Sequence, residues 1–326
     1  MRIAIFRTAT LLAALAAIPL AGCGEKDEPA TTAESEAPQA SSFPEPDGRS
    51  VSDLTNAYPL DANLIVAPSG GVFTEGRDRF GFGVFNVDHT QVGDAEVALY
   101  AAPASGGPAH GPYPARVDSL ATDAAFTAQT TSSDPDAAKT VYVTEIPFDR
   151  PGEWRFVALV RGEDGDLSSA SLAGPVVVNR NDPVPDVGEK APVIHTPTVD
   201  EVGDVQKIDT RIPPDTMHDV DFADVVGERP VVLLFATPAL CQSRVCGPVV
   251  DVTEQVKNER PDDAAYIHME IYEDNTPPRL RPQVKAYDLQ TEPWLFVIDA
   301  NGRITTRIEG AFSVDELNAA LDRVSG

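Results

Sequence analysis

The sequence is short of basic residues. Its 25 Lys and Arg face 51 Asp and Glu over 326 residues, a formal charge of −26. So few cations leave nothing to neutralise a phosphate backbone, which excludes a nucleic-acid partner. The same imbalance excludes electrostatic adhesion to anionic lipid. We read the acidity as solubility rather than as a surface for a particular partner. Histidine is scarce too, and no ligand set is evident. His89 and His110 fall in loop-like sequence, His195 and His218 read as ordinary loop residues, and His268 falls mid-strand. No metal and no cofactor is therefore expected. No internal repeat of fixed period is present. The apolar stretch Ala9 to Leu20 is too short to cross a bilayer. Cys23, Cys241 and Cys246 are an odd number of thiols, so they do not all pair within one chain.

What is present centres on Pro230 to Asp251, PVVLLFATPALCQSRVCGPVVD. Val231 to Phe235 is an unbroken apolar run of strand length, as for a central strand covered on both faces. Thr237-Pro238 ends it. Gly247-Pro248 then opens a pattern with Val249, Val252 and Val256 near helical spacing. Cys241 and Cys246 lie between strand and helix, where α/β folds place redox chemistry.

The N-terminus reads as a targeting segment. Arg2 and Arg7 precede the apolar stretch, which ends in Leu20-Ala21-Gly22-Cys23. That ending resembles the lipobox of bacterial lipoproteins, which implies a signal peptide over 1–22 and acylation (palmitate) of Cys23. The resemblance implies an extracytoplasmic protein, lipid-anchored to the bacterial cell membrane. It also leaves Cys241 and Cys246 free to pair in a compartment that permits disulfides.

Residues 23–49 are rich in Glu, Ala, Ser, Thr and Pro, with almost no large apolar side chain, and are expected to form a disordered tether. Over 50–180 the pattern is all-β. Expected strands are 63–67, 79–86, 95–101, 140–146, 153–160 and 175–179, with Ala102 to Pro114 as a long loop. This spacing of short strands points to an immunoglobulin-like β-sandwich with Trp154 in its core. Turn-formers over 179–188 mark the passage to a second domain, 187–326.

In that second part VGEKAPVIHTPTV resembles the opening of redoxin-type thioredoxin folds. After the thiol loop come a strand near 264–271, Pro293 ahead of a strand from Trp294, an Asn301-Gly302 hairpin, and a helix capped by Ser313 with Glu316 three residues on. The order resembles the thioredoxin family, which implies an α/β thioredoxin-like fold and a cis Pro293 packed against the cysteines. It also implies a substrate groove shaped by Thr291 to Trp294, with Glu292 and Trp294 as substrate-binding residues.

The cysteine spacing departs from C-x-x-C. C-x4-C-G after Thr-Pro resembles the bacterioferritin-comigratory type of peroxiredoxin, in which Cys241 would be peroxidatic and Cys246 resolving. Thr237 stands one residue further from the cysteine than that family's threonine, and Glu292-Pro293 replaces its arginine. Cα atoms five residues apart on an ideal helix are roughly 8–9 Å apart, beyond the bridging range of about 4.4–6.8 Å. Cys246 is therefore placed at the helix start, where Pro248 is tolerated, and Cys241 in the loop. Arg244 is expected to add positive potential near both sulfurs. Loop position favours Cys241 as nucleophile and the helix dipole favours Cys246, so both remain candidates.

The function expected is a membrane-anchored extracytoplasmic thiol–disulfide oxidoreductase using Cys241, Cys246 and Pro293, with Thr237, Arg244, Glu292 and Trp294 around the substrate. Its partners would be protein thiols or disulfides and an electron donor. The alternatives are a non-catalytic binding lipoprotein with a structural disulfide, and a thiol peroxidase.

Overall fold

The computed structural model describes residues 36–325. The expected signal peptide, the lipidation of Cys23 and residues 23–35 of the expected tether lie outside the described residues. From Glu36 onward the tether expectation fails. Phe43 is 4 % exposed against Leu54, Tyr100 and Leu159, with the Arg161 guanidinium 5.5 Å from its ring centroid. One aromatic anchor docks a stretch whose average composition reads as solvated. Helix α1 (Val51–Ala57) follows, opened by a reciprocal Ser50–Asp53 capping box.

The all-β part contains β1 (Leu60–Pro68), β2 (Phe73–Thr74), β3 (Gly76–Asn86), β4 (Gln91–Val92), β5 (Glu96–Pro103), β6 (His110–Ser119), β7 (Thr140–Phe148), β8 (Gly152–Arg161), β9 (Leu167–Leu172) and β10 (Val176–Asn179). A short helix, α2 (Gln129–Ser132), interrupts the long connection from β6 to β7. Strand order is β2-β10-β8-β5-β6-β7-β3-β1-β9, and β9 pairs again with β8. The two layers of the expected sandwich are thus joined by hydrogen bonds into a closed ring running from β8 through β5, β6, β7, β3 and β1 to β9, with β10 and β2 branching from β8 and β4 from β3. Alternation sets the core, where Phe80, Phe82, Val84, Val97, Leu99 and Tyr142 are fully enclosed.

The expected loop 102–114 is confined to 104–109, because Ala102 and Pro103 end β5 and His110 begins β6. Pro112 and Pro114 sit where β6 pairs only with β5, and its pairing with β7 begins later, at Arg116. A proline without an N–H is tolerated on such a one-sided stretch.

The α/β part begins with the short helices α3 (Val199–Val202) and α4 (Phe222–Val225). It continues with β11 (Val231–Phe235), α5 (Cys246–Glu259), β12 (Ala265–Met269), α6 (Pro282–Ala286), β13 (Trp294–Ile298), β14 (Ile304–Glu309) and α7 (Val314–Asp322). The sheet runs β12-β11-β13-β14, with β11 parallel to β12 and antiparallel to β13, and β13 antiparallel to β14. This is the β-α-β and β-β-α order of a thioredoxin-like fold. All five residues of β11 are sealed, because Val232 and Leu234 meet α5 and α7 while Val231, Leu233 and Phe235 meet the layer containing Phe222 and Tyr287.

Among the described residues the two sheets pack into one compact unit. Asp182 in the connecting segment pairs with Arg307 at 2.7 Å. Glu316, expected as the second half of a capping box, binds Arg79 of β3 bidentately at 2.6 and 2.8 Å, although Ser313 does cap α7. Gly310 (φ +82°) approaches the backbone of Ser69 so closely that a Cβ there would lie 2.2 Å from its carbonyl oxygen. Only glycine fits that crossing.

Candidate functional site

The sheet end from which β11 leaves carries the two cysteines. Strand β11 ends at Phe235, a loop follows, and Cys246 is the first residue of α5. Cys241 and Cys246 are disulfide-bonded with Cα atoms 5.9 Å apart, so the loop-and-helix placement brings the pair within bridging range. Their surroundings differ. Cys246 is completely sealed, whereas Cys241 is 9 % exposed with the Ser243 hydroxyl 3.2 Å from its sulfur. Pro248 is accommodated in the first turn of α5, where the missing N–H has no intrahelical partner to lose.

The β6–β7 connection packs over this helix start. Ala128 N–H donates to Asp251 Oδ2 at 3.1 Å, Asp123 N–H to Gln255 Oε1 at 2.9 Å, and Ala138 N–H to the Arg244 carbonyl at 3.0 Å. A Cβ on Gly247 would come 2.8 Å from Thr131 Oγ1. Beside Cys241 lies a cleft of about 490 Å³, with Thr130, Asp134 and Asp136 on one wall and Pro238, Cys241 and Pro248 on the other. A second, more apolar cleft of about 380 Å³, floored by Phe82 and Phe85, lies on the other side of the loop residues Gln242 to Val245.

Arg244 lines both clefts, but its guanidinium is engaged by Asp134 at 2.9 Å. Its charge is therefore offset by a residue of the all-β part. Thr237 is at the root of the loop and fully buried, with a hydroxyl that makes no hydrogen bond, so it does not line the surface expected of a substrate contact. Trp294 is likewise withdrawn. Its register opposite Phe235 turns it into the core layer away from the cysteines, where it stacks on Phe296 and donates from Nε1 to Thr291 Oγ1 at 3.0 Å. The Glu292–Pro293 peptide is cis. Pro293 directly precedes Trp294, whose partner Phe235 is the last residue of β11, so it lies at the sheet end from which the cysteine loop departs. Glu292 is partly buried, and desolvation pushes its carboxyl above the usual range.

A second group of side chains lies under the loop and escaped the sequence reading. His218 is 3 % exposed rather than a surface loop residue, and it meets Asp209, Asp215 and His268 in a sealed cluster. His268 Nδ1 lies 2.7 Å from Asp215 Oδ2, and His268 Nε2 donates to the Ala236 carbonyl at 3.1 Å. The cluster thus touches the root of the cysteine loop. These four residues span 209–268 with no recognisable spacing, and only the fold assembles them. His195 is the exposed loop histidine expected, hydrogen-bonded to Asp221 at 2.7 Å.

Over part of its length the chain is similar to a thiol:disulfide interchange protein of the thioredoxin family from Chlorobium tepidum TLS. Identity is 16 %, covering 43 % of this chain and 99 % of that one, with a TM-score of 0.29. A putative thiol:disulfide interchange protein DsbE from Chlorobium tepidum shows 17 % identity, covers 44 % and 99 % of the two chains, and has a TM-score of 0.31. A CARDB domain from Pyrococcus furiosus shows 13 % identity, with 36 % and 96 % coverage and a TM-score of 0.18. No protein-family model and no curated protein matches the sequence. At such scores the ground for the fold is the chain's own strand order and register, not the likeness.

Proposed function

We propose that this protein is a membrane-anchored, extracytoplasmic thiol–disulfide oxidoreductase that works through Cys241 and Cys246. The observation that carries this reading is the asymmetry of the bonded pair. One sulfur borders a cleft and the other is sealed at the N-terminus of a helix. A substrate thiolate attacks Cys241 Sγ, forms a mixed disulfide and releases Cys246 as a thiolate. The N–H groups and dipole of α5 stabilise that leaving group. A second substrate thiolate resolves the mixed disulfide, leaving the substrate oxidised and both cysteines reduced. In the reverse direction Cys241 attacks a substrate disulfide and Cys246 displaces the product. The potential of the pair against its donor sets the direction.

The place of Pro293 at the sheet end that carries the cysteine loop supports an extended protein segment as substrate. Glu292 would lie along it, and Arg244 would guide it between the two clefts. The Leu20 to Cys23 motif supports a lipid anchor outside the cytoplasm, where such a disulfide persists. No helix among the described residues is long and apolar enough to cross a membrane.

The low exposure of both sulfurs favours one other reading, a permanent staple in a binding lipoprotein. Equilibration in thiol–disulfide buffers, with the free thiols counted by alkylation, separates the two. A potential well above about −300 mV supports cycling, and one far below it supports the staple.

A further inference from the structure

The sealed cluster beneath the cysteine loop has the composition and spacing of a metal centre. Asp209, Asp215, His218 and His268 each bring one donor atom, and all four donors lie within 4.8 Å of one another. A tetrahedral ion with ligand bonds of roughly 2.0–2.1 Å holds its donors about 3.3–3.4 Å apart. His218 Nε2 lies 3.3 Å from Asp215 Oδ1 and 3.5 Å from Asp209 Oδ2. His268 Nδ1 lies 2.7 Å from Asp215 Oδ2 and 4.0 Å from Asp209 Oδ1. The two histidines face different oxygens of each carboxylate, so an ion would take one oxygen from each and draw in donors that now lie within 4.8 Å of one another.

Two further observations point to a ligand. His218 Nε2 is enclosed and aimed at both carboxylates at 3.3 and 3.5 Å, without the geometry of a hydrogen bond to either. An unsatisfied buried ring nitrogen is costly unless something accepts its lone pair or its proton. His268 donates Nε2–H to the Ala236 carbonyl, which turns Nδ1 toward the cluster, where without an ion it hydrogen-bonds Asp215 and where a metal would displace its proton. A backbone carbonyl holding the far nitrogen is the outer-shell arrangement that fixes a metal-ligating imidazole. Backbone N–H groups orient the carboxylates as well. Asp209 accepts from Arg211 and Asp215, both at 2.7 Å, and Asp215 accepts from Met217 at 2.8 Å. Glu270, also sealed nearby, is occupied by the backbone of Thr210 and Ile271 and stands outside the donor set.

We propose that Asp209, Asp215, His218 and His268 form a tetrahedral N₂O₂ site for a divalent transition ion of the Zn²⁺ class. Two carboxylates neutralise a dication, and two neutral imidazoles suit its borderline softness. The ion would fasten the 209–218 segment to strand β12, which that segment already meets through the His268 N–H to Met217 carbonyl bond at 3.0 Å. Through Ala236 and through Thr210, whose hydroxyl accepts from Ala239 N–H at 3.1 Å, it would brace the floor of the cysteine loop.

The test uses the untagged full chain with its disulfide intact, stripped by chelator and then given one equivalent of Zn²⁺ or Co²⁺. One ion per chain should survive gel filtration and raise the melting temperature. The Co²⁺ form should show the intense visible bands of tetrahedral coordination, without the near-ultraviolet charge transfer that a thiolate ligand would add. His218→Asn should lose the ion, and Zn²⁺ should no longer raise the melting temperature above that of the variant's own metal-free form. Failure of the wild-type chain to retain either ion would overturn the proposal. So would equal retention by wild type and His218→Asn, or a thiolate signature in the Co²⁺ spectrum.

Discussion

Arg211 donates from Nε to Asp251 Oδ1 at 2.9 Å, and neither side chain is more than 5 % exposed. The same guanidinium reaches the carbonyls of Pro213 at 2.8 Å and Phe126 at 2.5 Å. Asp251 in turn accepts from Ala128 N–H. One ion pair therefore joins the helix after the cysteines, the segment that carries the Asp–His cluster, and the β6–β7 connection. Burial still pushes the Asp251 carboxyl above its ordinary value, with Arg211 opposing that shift. Arg211→Met leaves a buried carboxylate without its cation and should destabilise the protein by about 3–5 kcal/mol. Adding Asp251→Leu should recover part of that loss, read as a partial return of the urea midpoint. A single variant with an unchanged midpoint would show that the pair is not structural.

A pH-dependent term arises where the two sheets meet. Glu309 accepts from Gly71 and Val72 N–H, both at 2.8 Å, and from the Thr291 hydroxyl at 2.5 Å. Desolvation nevertheless dominates and holds its carboxyl above the usual range, against those hydrogen bonds and Arg307. A raised folded-state pKa means that the protonated form is favoured on folding. The stabilisation is full below the unfolded-state value near 4.5 and is lost as pH rises through the folded-state value. Stability of the wild type relative to Glu309→Gln should therefore shrink between pH 4 and pH 7, measured by urea unfolding at each pH. A gap that widens with pH would reverse the sign and refute the account.

How much of this could be read from the sequence depended on whether the cause was local. The β11 run was legible because a strand covered on both faces shows an unbroken apolar stretch. The helix start at Cys246 was legible because Pro248 is excluded from a helix interior. Trp294 was misread because its face is decided by register against Phe235, which no local pattern reveals. Strand β6 was hidden by prolines that only one-sided pairing tolerates. His218 looked like loop because it is in loop; what buries it is the segment 209–218 folding over the edge of β12. Glu316 fitted a capping box, and only the packing of β3 against α7 shows that Arg79 takes its side chain instead.

The pairing of Arg244 with Asp134 ties the cysteine loop to the all-β part. With side chains 52 % and 22 % exposed, the pair should contribute less than about 1 kcal/mol to stability. Its effect should fall on access. Arg244→Ala removes the side-chain tie to the β6–β7 connection, leaving only the Ala138 N–H to the residue 244 carbonyl, and opens the partition between the two clefts, so reduction of the Cys241–Cys246 bond by dithiothreitol should become several-fold faster. The time course of free-thiol appearance measures this. Asp134→Ala should accelerate it in the same direction, because it removes the same tether from the other side. If both variants react at the wild-type rate, the β6–β7 connection does not gate the sulfurs.

The difference in burial between the two sulfurs predicts which one meets the substrate. Cys241 borders the cleft and has the Ser243 hydroxyl available to donate to a thiolate, whereas Cys246 is sealed under the first turn of α5. A protein left with Cys241 alone, by Cys246→Ser, should accumulate mixed disulfides with protein substrates, because the resolving thiol is missing. Cys241→Ser should capture little, since its remaining sulfur has no path to a partner. The comparison is made on non-reducing gels after acid quenching, with trapped adducts counted for each variant. A preference for Cys246 would transfer the attacking role to the helix terminus. Equal absence of adducts from both variants, together with a very low potential, would leave the bond as a staple.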